Sequence, residues 1–312
     1  MVQESILKFI TPKSISTKKR KNKIGFIGLG TMGFPMAGHL AHAGYEIIVY
    51  NRTPSKSEKF KKIFRNYKVF VANSLRDVSQ FSDVIISCVG NDLDLANITT
   101  STSGVFQSMK KNSVFIDHST ISARVSIKTF KIAEKKKLIF FDAPVSGGNL
   151  GAKNGLLSVM CGGNFEYFRK IKPIIDTYSK KTEFMGKAGN GQLTKMVNQI
   201  CIAGLLQGLA EGLNFGIEKN LDMRKVLSVI GEGAAQSWQL QNRGQTMLKD
   251  KYDFGFAVSL MCKDLDILLN EANNKNISLP VTKMVSKFYN ELNDSGKGSL
   301  DTSSLLLRMQ KK

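Results

Sequence analysis

The sequence predicts an α/β N-terminal domain, built on a doubly wound parallel sheet, joined by a long helix to an all-α C-terminal domain. Three observations carry this prediction. Short apolar runs alternate with helical patterns from Lys23 to about Pro144, the order that gives a parallel sheet covered on both faces. A glycine-rich turn joins the first run to the first helical pattern. From Gly191 onward almost every segment carries its apolar residues at helical spacing.

Residues 1–22 hold one acid, Glu4, several Ser and Thr, and the run Lys18-Lys19-Arg20-Lys21. They read as a basic, disordered extension. An amphipathic organellar targeting peptide is the alternative, although the stretch is poor in arginine. Lys23–Ile27 is a strand, Thr31 to about Ala43 a helix and Glu46–Tyr50 a second strand, which is the first half of a dinucleotide-binding unit. Further strands are predicted at Val69–Val71, Val84–Cys88, Val114–Asp117 and Leu138–Phe141. Beyond Pro144 come a strand, Leu157–Cys161, and a helix, Phe165–Ile175. Residues 23–187 are therefore assigned to a Rossmann domain and 188–312 to a helical substrate and oligomerisation domain. The long helix runs from about Gln192 to Glu218. Its Gly204, Gly208 and Gly212 recur every four residues, so one bare face can admit a second helix closely. Later helices are expected at Met223–Ile230, Ser259–Asn273 and Val281–Leu292.

Composition narrows the function. The 312 residues carry a formal net charge of +20, with lysines spread along the chain and no aromatic–basic nucleic-acid module. Nucleic-acid binding is thereby disfavoured, while an anionic cofactor and an acidic substrate gain from the field. Cys88, Cys161, Cys201 and Cys262 form no CxxC pair, so they read as free thiols of a reducing, cytoplasmic compartment, with no disulfide frame and no metal site. The apolar run Ile200–Leu213 is broken by Gln207 and Glu211 and is short for a bilayer span, so no membrane association is expected.

Gly28-Leu29-Gly30-Thr31-Met32-Gly33 matches G-x-G-x-x-G between a predicted strand and a predicted helix, the context that gives this pattern meaning. Gly28 permits the turn, Gly30 lets the backbone approach a pyrophosphate, and Gly33 lets the helix pack on the strand. The second strand ends in Asn51-Arg52-Thr53. Asn51 stands where an NAD site usually carries a carboxylate, Arg52 can pair with a 2′-phosphate, and Thr53 can donate to it. NADP(H) is thus favoured over NAD(H). Val89 and Asn91, in the loop after the fourth strand, lie at the carboxyl edge where the cofactor crosses.

Four further motifs follow in order: Asp117-His118-Ser119-Thr120, Asp142-Ala143-Pro144-Val145-Ser146-Gly147-Gly148, Gly189-Asn190-Gly191-Gln192-Leu193-Thr194-Lys195-Met196-Val197-Asn198, and Lys263-Asp264-Leu265. With the glycine turn, they resemble the β-hydroxyacid dehydrogenase family, which includes 3-hydroxyisobutyrate dehydrogenase, tartronate semialdehyde reductase and glyoxylate reductase. The resemblance implies that Lys195 is the catalytic acid/base, that Ser119, Ser146, Gly147, Gly148 and Asn198 bind a small carboxylate substrate, and that Lys263 reaches the cofactor. It also implies a homodimer or homotetramer. The chemistry is sensible, because reducing a carbonyl needs a proton donor for the forming alkoxide and bare glycine N–H groups can cradle a carboxylate. Lys195 and Asn198 are three residues apart on the predicted helix and share one face. Asn198-Gln199 departs from the Asn-Asn of many relatives. The expected reaction is oxidation of a small 3-hydroxyacid, such as 3-hydroxyisobutyrate, to its semialdehyde, at a site between the two domains. Reduction of tartronate semialdehyde, succinic semialdehyde or glyoxylate is the alternative. A non-catalytic NADP-binding scaffold and an imine reductase are further readings, both opposed by the presence of Lys195.

Overall fold

The computed structural model describes residues 6, 8–13 and 22–310. They divide by compactness into two units, residues 1–195 and 196–312, with the division inside the long helix.

In the first unit, β1 (Lys23–Ile27) leads into α1 (Gly33–His42), followed by β2 (Glu46–Tyr50), α2 (Pro54–Ile63), β3 (Val69–Val71), α3 (Leu75–Phe81), β4 (Val84–Ser87) and α4 (Asp92–Thr99). Next come β5 (Val114–Asp117), α5 (Ala123–Lys135), β6 (Ile139–Asp142), β7 (Val145–Ser146), α6 (Gly148–Lys153), β8 (Leu157–Gly162), α7 (Phe165–Ile175) and β9 (Ser179–Gly186). The sheet order is β3-β2-β1-β4-β5-β6-β8-β7, with β9 paired to β8. The first six strands are parallel, as the alternating pattern predicts. β8 is antiparallel to β6 and β7 but parallel to β9, so the wholly parallel expectation ends at β6.

Successive side chains of each strand point to opposite faces, so both faces are apolar and both are covered. Ile24, Phe26, Ile86, Ile116 and Phe141 pack with Met36 and Leu40 of α1 and with Phe60 and Phe64. Ile85, Phe115 and Phe140 pack on the other face with Val78, Leu95 and Phe106.

The N-terminal segment corrects the expectation of a disordered extension. Ile6 and Ile10 are buried in the first of these clusters, and the Phe9 ring lies 4.9 Å from that of Phe34. Thr11 N donates to Lys153 O at 2.8 Å, and Lys13 Nζ donates to Ser179 O at 2.7 Å. The apolar trio at 6, 9 and 10 gains more by burial than its basic surroundings gain by solvation. The Lys18–Lys21 run lies outside the described residues.

α8 (Asn190–Glu218) is a single helix of 29 residues that crosses the boundary between the units. In the second unit it is followed by α9 (Met223–Ile230), α10 (Trp238–Leu248), α11 (Val258–Asn273) and α12 (Pro280–Leu292). Ala203, Leu206, Ala210 and Leu213 of α8 are buried there. By length and composition α8 alone, among the helices of the described residues, could cross a bilayer, so the brevity of its apolar run is no argument on that point. A Cβ at Gly204, Gly208 or Gly212 would meet nothing within 4 Å, so no helix of this chain among the described residues uses the close approach those glycines allow. Leu205 and Phe215 are exposed.

Candidate active site

The glycine turn after β1 has the shape its spacing predicts. Gly28 has φ of +96°, and a Cβ there would run into the Cys88 carbonyl; one at Gly33 would strike the Gly28 carbonyl. Gly30 faces open space with nothing within 4 Å of a Cβ position. Two glycines are thus required by backbone packing, and the third leaves bare backbone facing outward. Met32 adds no side-chain cap to α1 and Pro35 has no N–H, so the bare backbone around Gly30 is what the turn offers an anion. That cradle fits a pyrophosphate. The turn is tied to itself by Phe34 N, which donates to Gly30 O at 3.0 Å, and to the next loop by Leu29 N, which donates to Asn51 Oδ1 at 2.9 Å, while Asn51 Nδ2 donates to Thr53 O at 3.1 Å. Thr31 is exposed beside the turn, and Thr53 precedes α2 without spending its hydroxyl on a cap. Arg52 does not simply face solvent: its Nη1 pairs with Asp94 Oδ1 at 2.9 Å. Asn91 caps α4 by accepting from Asp94 N at 2.9 Å.

The carboxyl ends of β4, β5 and β6 are stitched together by buried polar groups. Asp117 and Asp142 stand opposite each other on β5 and β6. Asp117 Oδ1 accepts from Ser87 Oγ at 2.7 Å and from Ser119 Oγ at 2.6 Å. Ser119 Oγ in turn accepts from Val89 N at 2.8 Å. Ser119 is buried with its hydroxyl proton given to Asp117, so its side chain braces the ends of β4 and β5.

Asp142 fixes the start of α8. Its Oδ1 accepts from Gly189 N at 2.8 Å and its Oδ2 from Gln192 N at 3.0 Å, a carboxylate at the positive end of a helix. Gln192 Oε1 accepts from Ile121 N at 3.2 Å, and its Nε2 donates to Ser119 O at 2.8 Å. The first turn of α8 is therefore bound to both strand ends, and Lys195 follows one turn later with only 7% of its surface exposed. Between β7 and α6, Gly147 and Gly148 have φ of +127° and +61°, and a Cβ at Gly148 would meet nothing within 4 Å. These left-handed glycines, next to Ser146, keep the backbone bare where a carboxylate would be held.

In the second unit, Asn198, Gln199, Asp264 and Lys263 form a polar chain between α8 and α11. Asn198 Nδ2 donates to Gln199 Oε1 at 2.8 Å, Gln199 Nε2 donates to Asp264 Oδ2 at 2.7 Å, and Lys263 Nζ pairs with Asp264 Oδ1 at 2.9 Å. Asp264, which the sequence offers only as part of a motif, holds the Gln199 and Lys263 side chains. Asp142 and Gln192 likewise carry no role in the sequence beyond their motifs.

The buried titrating groups are held by desolvation. His118 is lowered to about 4 by burial; its Nδ1 lies 2.6 Å from Ala143 O and its Nε2 2.9 Å from Tyr178 Oη. The neutral ring donates to the carbonyl and accepts from the phenol, a structural role. Burial raises Asp117 from its ordinary value near 3.8 to about 7. The folded state thus holds this proton more tightly than the unfolded chain. The resulting stability is complete below the unfolded value and lost as pH rises through the folded one. Asp117→Asn keeps the acceptor for Ser87 and Ser119 but cannot titrate. Its urea midpoint relative to wild type should therefore rise from about pH 5 to about pH 8. An equal difference at both would mean that Asp117 does not titrate within the fold.

Known proteins resemble this chain in sequence and in fold. Residues 23–186 match the NAD binding domain of 6-phosphogluconate dehydrogenase, and residues 189–309 match the NAD-binding region of NADP-dependent 3-hydroxyisobutyrate dehydrogenase. The Arabidopsis thaliana protein called probable 3-hydroxyisobutyrate dehydrogenase-like 1, mitochondrial, is 38% identical over 93% of this chain and 85% of its own. The chain belongs to the β-hydroxyacid dehydrogenase family. An oxidoreductase of Shewanella frigidimarina within the same range of similarity is 47% identical over 93% of this chain and 98% of its own. The solved structure of Mycobacterium tuberculosis 3-hydroxyisobutyrate dehydrogenase with L-serine aligns with a TM-score of 0.84 at 24% identity, covering 94% of this chain and 100% of that one, a likeness of fold. As a β-hydroxyacid dehydrogenase, the protein is an NAD(P)-dependent oxidoreductase acting on CH–OH groups with a nicotinamide cofactor.

Proposed function

We propose that this β-hydroxyacid dehydrogenase interconverts a small 3-hydroxyacid and its semialdehyde with NADP(H), using Lys195 as general acid and base. The observation that carries the reading is the pinned first turn of α8, which holds a buried lysine beside the loops bearing the glycine cradle. When bound, the nicotinamide supplies the hydride-exchanging carbon. The chain's own residues do the rest. Gly147 and Gly148 offer backbone N–H groups and Ser146 a hydroxyl to the substrate carboxylate. Asn198, three residues beyond Lys195 on the same helix, holds the substrate. Lys195 Nζ gives a proton to the substrate oxygen on reduction and takes it back on oxidation. Lys263, paired with Asp264, is assigned to the cofactor.

NADP(H) is preferred because Asn51 puts no negative charge beside the ribose and Arg52 offers a guanidinium to the 2′-phosphate. Arg52→Ala should weaken NADPH binding about tenfold in a fluorescence titration while NADH stays within about twofold, an exposed charge-assisted contact being lost. Unchanged NADPH affinity would remove the case for that contact. Arg52 also favours the second reading, in which NADPH drives reduction of tartronate semialdehyde, succinic semialdehyde or glyoxylate with the same residues. A panel of hydroxyacids and semialdehydes, assayed with each cofactor, separates the two. The 3-hydroxyisobutyrate dehydrogenase-like relatives support the first. The exposed stripe on α8, with Leu205 and Phe215 flanking bare glycines, supports a homodimer or homotetramer that covers it.

A further inference from the structure

We propose that Asp94 sets the cofactor discrimination of this site, by holding Arg52 in the free protein and competing with the 2′-phosphate for it. The inference rests on the assignment of Arg52 to that phosphate and goes beyond it.

Arg52 follows β2, and Asp94 lies in the first turn of α4, which follows β4. In the sheet, β2 and β4 are the two neighbours of β1. The 2.9 Å ion pair therefore links the loops on either side of β1, whose carboxyl end carries the glycine turn. It spans the edge along which the adenosine half of a dinucleotide is held in this fold.

The two partners differ in exposure and in how firmly their surroundings hold them. The Arg52 side chain is 87% exposed and that of Asp94 only 22%. The carboxylate is set by its helix. Asp94 N is held by the Asn91 cap, and Asp92, two residues earlier, anchors the loop by accepting from Ser122 N at 2.8 Å and Ser122 Oγ at 2.7 Å. Gly90 makes room for it, since a Cβ there would lie 2.7 Å from Asp94 Oδ2. Asp94 is thus the fixed member and Arg52 the one that moves.

A 2′-phosphate must draw the guanidinium away from this carboxylate, and the carboxylate stays nearby as a like charge. A cofactor that carries only hydroxyls there meets neither effect. The carboxylate absent from the end of β2, where Asn51 stands, is therefore supplied from α4, and it tempers a preference that Arg52 alone would make steeper.

The test is a fluorescence titration of NADPH and NADH against the wild type, Asp94→Asn, Arg52→Ala and the double variant, with thermal melts to verify folding. An exposed ion pair is weak, so Asp94→Asn should tighten NADPH about fivefold and leave NADH within about twofold. The gain should shrink in the Arg52→Ala background, where there is no guanidinium to release. NADPH affinity that is unchanged or weaker in Asp94→Asn, or equal tightening of both cofactors, overturns the proposal. If Arg52→Ala weakens NADPH and Asp94→Asn does nothing, the phosphate assignment survives and this inference fails. If Arg52→Ala leaves NADPH binding unchanged, both fail.

Discussion

Lys195→Ala should lower turnover about 100-fold or more while NADPH still binds with wild-type affinity, the loss typical of a missing general acid. The argument is geometric. The lysine is buried one turn into α8, and that turn is tied to two strand ends by four hydrogen bonds through Asp142 and Gln192. Its ammonium is not needed for the glycine turn, whose contacts run through Leu29, Asn51 and the start of α1. The cofactor titration and the turnover assay should therefore separate. Near-normal turnover in the alanine variant would refute the acid/base assignment. Loss of NADPH binding with turnover falling in step would assign Lys195 to the cofactor instead.

The second large effect is expected at Asp142, which touches no substrate and acts through α8. Asp142→Ala leaves the N–H groups of Gly189 and Gln192 without their acceptor inside the protein. Each such buried donor costs about 1–3 kcal/mol. Burial raises the Asp142 carboxyl to about 6, against the pull of those same N–H groups. Removing the side chain therefore also removes a desolvation cost, which trims the net loss to about 2–4 kcal/mol. Urea unfolding reads this as a lower midpoint at unchanged slope. Turnover should fall as well, because the first turn of α8 aims Lys195, while NADPH affinity at the glycine turn holds. Asp142→Asn, which keeps one acceptor oxygen, should restore part of both. A wild-type midpoint in the alanine variant would mean that the start of the helix is secured elsewhere.

The parts of the fold legible in the sequence are those with strong local periodicity. β1, α1 and β2 follow from an apolar run, a glycine turn and a second apolar run, and the first six strands follow from repetition of that unit. β9 escaped because Ser179-Lys180-Lys181-Thr182-Glu183 is polar and alternates buried with exposed residues irregularly; it is a strand because β8 offers it a partner. α10 escaped for a similar reason. Gln241, Asn242, Arg243 and Gly244 interrupt its apolar spacing, but Arg243 pairs with the buried Asp301 and Gly244 lies against Leu227. The site divides the same way. Its motifs were readable, because glycines and a lysine in fixed spacing announce themselves. Its supports were not, because Asp117 and Asp142 come together only when β5 and β6 align in register. The bond from Ser119 Oγ to Asp117 was hidden for the same reason, since the motif alone leaves the hydroxyl unassigned. Asp94 gave no signal at all, being 42 residues from the arginine it holds.

The seat of Ile10 bears on maturation. A protease cutting at residue 22 would pull a fully enclosed isoleucine and the Thr11 and Lys13 tethers out of the nucleotide-binding half. The vacated hole would lie beneath α1, the helix that follows the glycine turn. Cleavage that spares Ile6 would leave those contacts in place. A shortened enzyme beginning at Lys23 should aggregate or melt early, however well its catalytic half is preserved.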